Sequence, residues 1–211
     1  MDVTFKTVAP FGLCSMALAG ICLTASVAVA DVSDIAETCN QCHGSDGVSS
    51  ESDVPTIAGM SAFVLEDYLL TYQDEARPCH ESKYRSGDLE RPATTMCAEA
   101  DELTGDEISA IAEYYAKKTF EPARQDFDAE LAAAGASIHR RDCEKCHTDN
   151  ASNPDDDAGI MAGQWMPYLR QAFDDYTSGE RPMVEDKMQE KFDQLSAEQK
   201  EELIHFYASQ Q

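Results

Sequence analysis

Basic residues are scarce in this chain of 211 residues: 16 Lys and Arg stand against 40 Asp and Glu, a formal net charge of −24. Nucleic acids and anionic membrane surfaces are polyanions, so this balance speaks against both as partners. It suits a basic partner or simple solubility in a salty medium. A glycine-rich phosphate loop is missing as well. No Gly-x-Gly-x-x-Gly precedes a helical stretch, so no dinucleotide site is visible. No nucleophile–base pair emerges, and no catalytic site is expected in the chain itself. Strand-like alternation is absent too, which points to an all-α fold. Charge is also rare in residues 1–30, where only Asp2 and Lys6 carry it. The apolar run from Val8 ends in Ala28-Val29-Ala30 before Asp31, a small-x-small cleavage pattern. A retained membrane anchor would need a run of similar length. The small residues and the Ala-x-Ala end favour an export segment cleaved after Ala30, delivery to the periplasm, and no membrane span in the mature chain.

Cysteine is where the chain becomes informative. Cys14 and Cys22 leave with the export segment. Four others form two copies of one pentapeptide, Cys39-Asn40-Gln41-Cys42-His43 and Cys143-Glu144-Lys145-Cys146-His147. Cys-x-x-Cys-His reads as a haem c attachment site. The paired thiols add across the haem vinyl groups, and His43 and His147 ligate iron through a neutral imidazole nitrogen. A zinc half-site or a redox dithiol would use the same Cys-x-x-Cys spacing. Zinc would need further Cys or His ligands near each copy, and the second half has no other cysteine. Two covalent haem c groups are therefore expected.

The two copies belong to an internal repeat. Ala58-Gly59 stands as far from Arg77-Pro78 as Ala162-Gly163 does from Arg181-Pro182, and Tyr72 falls opposite Tyr176. Met96 and Leu103 match Met188 and Leu195, and Tyr115 and Tyr207 lie equally far beyond those leucines. The chain reads as a tandem duplication with domains 31–120 and 121–211, joined near Glu121-Pro122. A domain of that size has a thin core, which a covalent haem would fill. In each half a helix should deliver the haem motif, over 34–42 and 127–146. Stretches 61–73 and 166–176 carry apolar residues at helical spacing, Phe63, Leu65, Tyr68, Leu69 and Tyr72 in the first. Thr104 with Glu107 and Ser196 with Gln199 look like capping boxes opening final helices over 106–117 and 197–209. The first helix of each half should cross the last near Tyr115 or Tyr207. The acidic stretch 150–157 should be an exposed loop.

A methionine sulfur is the expected sixth ligand of each iron. Met60 and Met96 compete in the first half; Met161, Met166, Met183 and Met188 compete in the second. Met96 and Met188 are in register, and that match selects them over Met183, the strongest rival. His80 is a further candidate for the first iron, while His139 and His205 read as packing or surface residues. Two thiols remain, Cys79 and Cys97. Spare thiols in an oxidising compartment usually pair, so a Cys79–Cys97 disulfide is expected; free or metal-binding thiols are the alternative. Pro78 to Met96 is 18 positions and Pro182 to Met188 is six, so the disulfide lies in a first-half insertion of 12 residues.

With these residues in view, the tandem halves resemble the dihaem class I cytochromes c of the cytochrome c4 type. The second half resembles something narrower. Cys143–His147, residues 162–169, Glu180 to Met183 with Lys187-Met188, and residues 206–211 are similar to the cytochrome subunit of flavocytochrome c sulfide dehydrogenase. The first half departs from that pattern through its insertion and two cysteines. The resemblance implies a separate flavoprotein that binds FAD and oxidises sulfide. This chain would then accept electrons from the flavin and pass them to a soluble carrier such as a small cytochrome c. A free dihaem carrier of the cytochrome c4 type is the other reading. Trp165, Met166 and Pro167 face Ser61, Ala62 and Phe63 in register, so the docking surface is expected on the second half, with Trp165 packing on its own haem as the plainer alternative.

Overall fold

The computed structural model describes residues 31–183 and 185–211. The expected export segment and its cleavage after Ala30 lie outside the described residues. The first half begins with α1 (Val32–His43), opened by the Asp31 carboxylate accepting from the Ser33 N–H at 3.0 Å. It buries Ile35 and Ala36 inward. Then follow α2 (Ala62–Gln73), a two-residue antiparallel pair β1 (Glu81–Ser82) and β2 (Thr94–Thr95), α3 (Met96–Asp101) and α4 (Gly105–Ala116). The second half runs through α5 (Ala129–Ile138), a π-helical turn His139–Cys143, the single turn α6 (Thr148–Ala151), α7 (Met166–Ser178), α8 (Asp186–Asp193) and α9 (Ala197–Ala208). The architecture is all-helical apart from the short ribbon in the insertion.

Both final helices open with the capping boxes read from the sequence, Thr104 with Glu107 and Ser196 with Gln199, each satisfying two otherwise orphaned backbone donors. Each half closes in the same way. The Tyr115 hydroxyl donates to the Ala36 carbonyl at 3.2 Å and the Asn40 side chain at 2.9 Å, tying α4 to α1. Tyr207 on α9 meets His139, just beyond α5, at 3.2 Å. Gly59 and Gly163, both at φ 72°, donate their N–H to the carbonyls of Tyr115 and Tyr207 at 2.9 and 2.8 Å. The α5–α9 crossing is close enough that a Cβ at Gly135 would stand 2.0 Å from the Glu202 carbonyl oxygen.

Two apolar clusters result. One gathers Ile35, Met60, Leu65, Ile111 and Tyr115; the other gathers Ile138, Leu169, Leu203, Phe206 and Tyr207. Ile160 belongs by sequence to the second half but is buried in the first cluster. Burial of a side chain that size contributes about 2 kcal/mol to holding the halves together.

Several expectations need correction. The helix leading to the second haem motif does not run unbroken to Cys146. It gives way after Ile138 to the wider π turn, which carries His139 fully inside, where both ring nitrogens find partners. Phe63 is not core: it lies one position beyond the buried Val64–Leu65 edge of α2 and is 66% exposed. Met96 and Met188 sit in the first turns of α3 and α8. Stretch 150–157 is ordered by the Asp156 carboxylate, which accepts from the Thr148 N–H at 2.6 Å and its hydroxyl at 2.8 Å, while Ala151 is buried.

Candidate functional site

In the first half, Cys39 and Cys42 lie one helical turn apart near the C-terminal end of α1, and His43 is its last residue. Neither thiol is disulfide-bonded. His43 is buried, and burial pushes its pKa down, so the ring is neutral. Its Nδ1 lies 2.9 Å from the Pro55 carbonyl oxygen. That oxygen can only accept, so Nδ1 carries the proton and Nε2 keeps its lone pair, the form in which imidazole binds a metal. In the second half, Cys143 ends the π turn, and the chain turns through Cys146 to His147. His147 is likewise held neutral by burial, reinforced by nearby His139. Its Nδ1 is buried and finds no hydrogen-bond partner among the described residues.

These surroundings separate the possible readings of the motif. A redox dithiol needs a thiol with a lowered pKa. Burial instead pushes Cys39 up to about 11 and raises Cys42 and Cys143. Among the described residues, no group of three or more His, Cys, Asp and Glu could hold a metal ion, so neither motif builds a zinc cage. A Cys-x-x-Cys thiol pair beside a neutral buried imidazole, with Cys39, Cys42 and Cys143 all raised in pKa, fits haem c.

The insertion folds over the first motif. The N–H groups of Arg85 and Ser86 donate to the Gln41 carbonyl at 2.8 and 3.1 Å. Cys79 and Cys97 form a disulfide with a Cα–Cα distance of 5.5 Å, anchoring the insertion at the start of α3 beside Met96. Met60 is buried in the first core, whereas Met96, Met183 and Met188 are half-buried. His80 Nε2 lies 2.8 Å from the Asp175 carboxylate on α7. His205 accepts from the Asp128 N–H at 2.9 Å.

The contact between the halves holds residues that the sequence reading passed over. Buried Arg77 lies 4.2 and 4.5 Å from the ring centroids of Tyr68 and Tyr72. Its register partner Arg181 lies 4.3 Å from that of Tyr176 and 5.1 Å from that of Tyr68, which belongs to the other half. Arg77 Nη1 is buried without a partner. The Trp165 indole donates to the Ser49 carbonyl at 2.9 Å, so Trp165 binds the first half. Gln164 is fully buried and spans both hydrogen-bonding groups of Thr56. The matched spacing of Arg77 and Arg181 was a signal for the first pair. No signal in the sequence marked Gln164.

No family model matches the chain. Cytochrome c4 of Azotobacter vinelandii is 25% identical over 162 residues, covering 72% of this chain and 74% of that protein. Among solved structures, reduced recombinant cytochrome c4 from Pseudomonas stutzeri superposes with a TM-score of 0.66 at 24% identity, over 84% of this chain and 95% of the other. Acidithiobacillus ferrooxidans cytochrome c4 gives 0.65 at 22%, over 82% and 99%. Thiosulfate dehydrogenase (TsdBA) of Marichromatium purpuratum gives 0.60 at 23%, over 81% of this chain but 36% of its own. The fold is that of the dihaem class I cytochromes c. Within that class, the chain is cytochrome c4-like.

Proposed function

We propose that this chain is a dihaem electron-transfer protein that carries one covalent haem c in each half. The observation that carries the reading is the repeated donor set, a Cys-x-x-Cys thiol pair beside a neutral buried histidine, on a cytochrome c4-like fold. Cys39 and Cys42 anchor one group, and Cys143 and Cys146 the other. His43 and His147 present Nε2 to the iron; Met96 and Met188 supply the thioether sulfur, a soft donor that favours the ferrous state. The unpartnered Nη1 of Arg77 suits an acidic substituent at the haem periphery. When bound, haem supplies a one-electron ferric/ferrous couple. A haem held by both a histidine and a methionine of the chain would leave no open iron position for substrate, which favours electron transfer over catalysis. Attachment outside the cytoplasm agrees with the export reading of residues 1–30, and among the described residues no helix is long and apolar enough to cross a membrane.

The likeness of residues 138–211 to the cytochrome subunit of flavocytochrome c extends this to a partner. In that reading an FAD-bearing flavoprotein oxidises sulfide and this chain relays its electrons to a soluble acceptor. Purification from the native host with haem and flavin analysis tests both levels. Two haem c groups per chain and a co-purifying flavoprotein are expected. A flavin-free protein with no sulfide:cytochrome activity leaves the free carrier, and fewer than two haems per chain sinks the proposal altogether.

A further inference from the structure

The second thiol of each motif meets different surroundings in the two halves. Gln41 and Cys42 stand in register with Lys145 and Cys146. The insertion closes over the first pair. The N–H groups of Arg85 and Ser86 both donate to the Gln41 carbonyl, and the Arg91 guanidinium donates to the Gln41 side-chain oxygen at 3.2 Å. Gly87 passes so close that a Cβ there would stand 3.2 Å from Gln41 Cδ. Cys42 Sγ lies 3.8 Å from the Lys83 carbonyl oxygen, and Gln41 and Cys42 are both half-buried. The insertion is fastened at three places: by the Cys79–Cys97 disulfide, by Arg85 to Asp53 at 2.5 Å, and by His80 to Asp175 of the second half at 2.8 Å.

The second half has no segment of that length in the matching place, and Lys145 and Cys146 are both exposed. Charge separates the two surfaces as well. The insertion is balanced, with Lys83, Arg85 and Arg91 against Glu81, Asp88 and Glu90. Around the second motif Arg140, Arg141 and Lys145 stand against Asp142 and Glu144. The Asp142 carboxylate is shared by Arg141 at 2.6 Å and Lys191 at 3.2 Å, and that of Glu144 accepts from His139. Arg140 is exposed and donates only to the neutral Ser137 hydroxyl, at 3.4 Å. Arg140 and Lys145 thus present positive charge beside an exposed motif thiol, on a chain whose formal net charge is −24.

We propose that the insertion is a cap that closes the first haem site to partner proteins, and that redox partners dock on the second half, around Cys146, through carboxylates that meet Arg140 and Lys145. The inference rests on the dihaem reading above and deepens it by naming where a partner docks and by what chemistry. The second thiol of each motif would bear one edge of its haem, so what covers the thiol covers that edge. Electron transfer weakens steeply with distance, and redox encounters bury little surface. A cap of a dozen residues is therefore enough to deny one. Complementary charges set register and on-rate in such encounters. At physiological ionic strength the acidic remainder of the molecule is screened beyond about 8 Å, so the charges beside the contact decide which partner fits.

The test is an NMR titration of the reduced two-haem protein with two probes, a small acidic blue copper protein and a small basic cytochrome c. The acidic probe should shift amide signals of residues 140–147 and leave those of 41–43 and 81–95 unmoved. Arg140→Glu with Lys145→Glu should weaken its binding about tenfold. Excision of residues 79–90 together with Cys97→Ala gives the first half the six-position spacing of the second. A second set of shifted signals, around Gln41 and Cys42, should then appear. Shifts at 81–95 in the unaltered protein, no shift with the acidic probe, or tighter binding of the basic probe at 140–147 would overturn the inference. So would a charge reversal that leaves binding unchanged, or a folded shortened chain that gains no new contact. The map in the unaltered protein decides the matter even if the shortened chain folds poorly. A two-haem chain that docks the probe through its insertion refutes this inference alone, whereas one carrying fewer than two haems removes the dihaem reading beneath it.

Discussion

The two halves share a scaffold and differ at the histidine. Gly59 and Gly163 make the same bond to register-matched tyrosine carbonyls, those of Tyr115 and Tyr207. Gly47 accepts from the N–H groups of Ile57 and Ala58, and Ala151, in register with it, accepts from those of Met161 and Ala162. These bonds are backbone to backbone, so a duplicated chain can change its side chains and keep them. The environment of each histidine is instead built by side chains and by the neighbouring half. The first has Pro55, Gln164 and a disulfide-anchored insertion around it; the second has a π turn, buried His139 and an unpaired Nδ1. Two similar haem sites can in this way be given different properties without a change of fold.

The largest test of this comparison is to remove one haem at a time. Cys143→Ser with Cys146→Ser should lower the mass by one haem and leave the first site's spectrum intact, and Cys39→Ser with Cys42→Ser should do the converse. Loss of both haems from either variant would show that the halves do not mature independently. Next come the ligands. Met96→Ala and Met188→Ala should each remove the methionine-to-iron absorption of one haem. If Met183→Ala does so and Met188→Ala does not, the register between the halves fails at that position.

Stability separates the halves further. Cys79→Ala with Cys97→Ala opens a loop whose ends are 18 residues apart and should cost about 3 kcal/mol, read as a lower denaturant midpoint for the first half alone. Gly135→Ala presses a methyl toward the Glu202 carbonyl and should cost about 2 kcal/mol in the second half, where the first has no matching contact. The smallest effect is expected at Ala151. It holds φ 68° where Gly47 holds 78°. Ala151→Gly should therefore raise the thermal midpoint by the equivalent of about 1 kcal/mol, since glycine adopts that conformation without strain. Gly47→Ala should lower it, because its Cβ would also meet the Tyr115 ring at 2.7 Å.

Much of the local structure could be read from residues alone. The capping boxes at Thr104 and Ser196 needed only their own four residues, and the helices they open end within a residue or so of the expected places. The motif thiols and histidines were legible as a set because their spacing is short and fixed, and each motif falls within about one helical turn of chain. Phe63 was misread because apolar spacing marks a stripe without saying where its edge lies, and α2 turns Val64 and Leu65 inward instead. The π turn at His139 was missed because its cause, the pairing of one ring with Tyr207 and Glu144, includes a partner 68 residues away.

The sequence by itself determined the all-helical class and the two Cys-x-x-Cys-His motifs, because each depends on neighbours within one or two turns of chain, and the internal repeat, because its landmarks keep their spacing. Tertiary structure decided the rest. Ile160 completes the core of the other half, the Trp165 indole donates to Ser49 of the first half, and Gln164 reaches Thr56 across 108 positions. Such contacts depend on how two folded surfaces meet, and a buried amide can pair fully only with groups that the docking brings within hydrogen-bond reach.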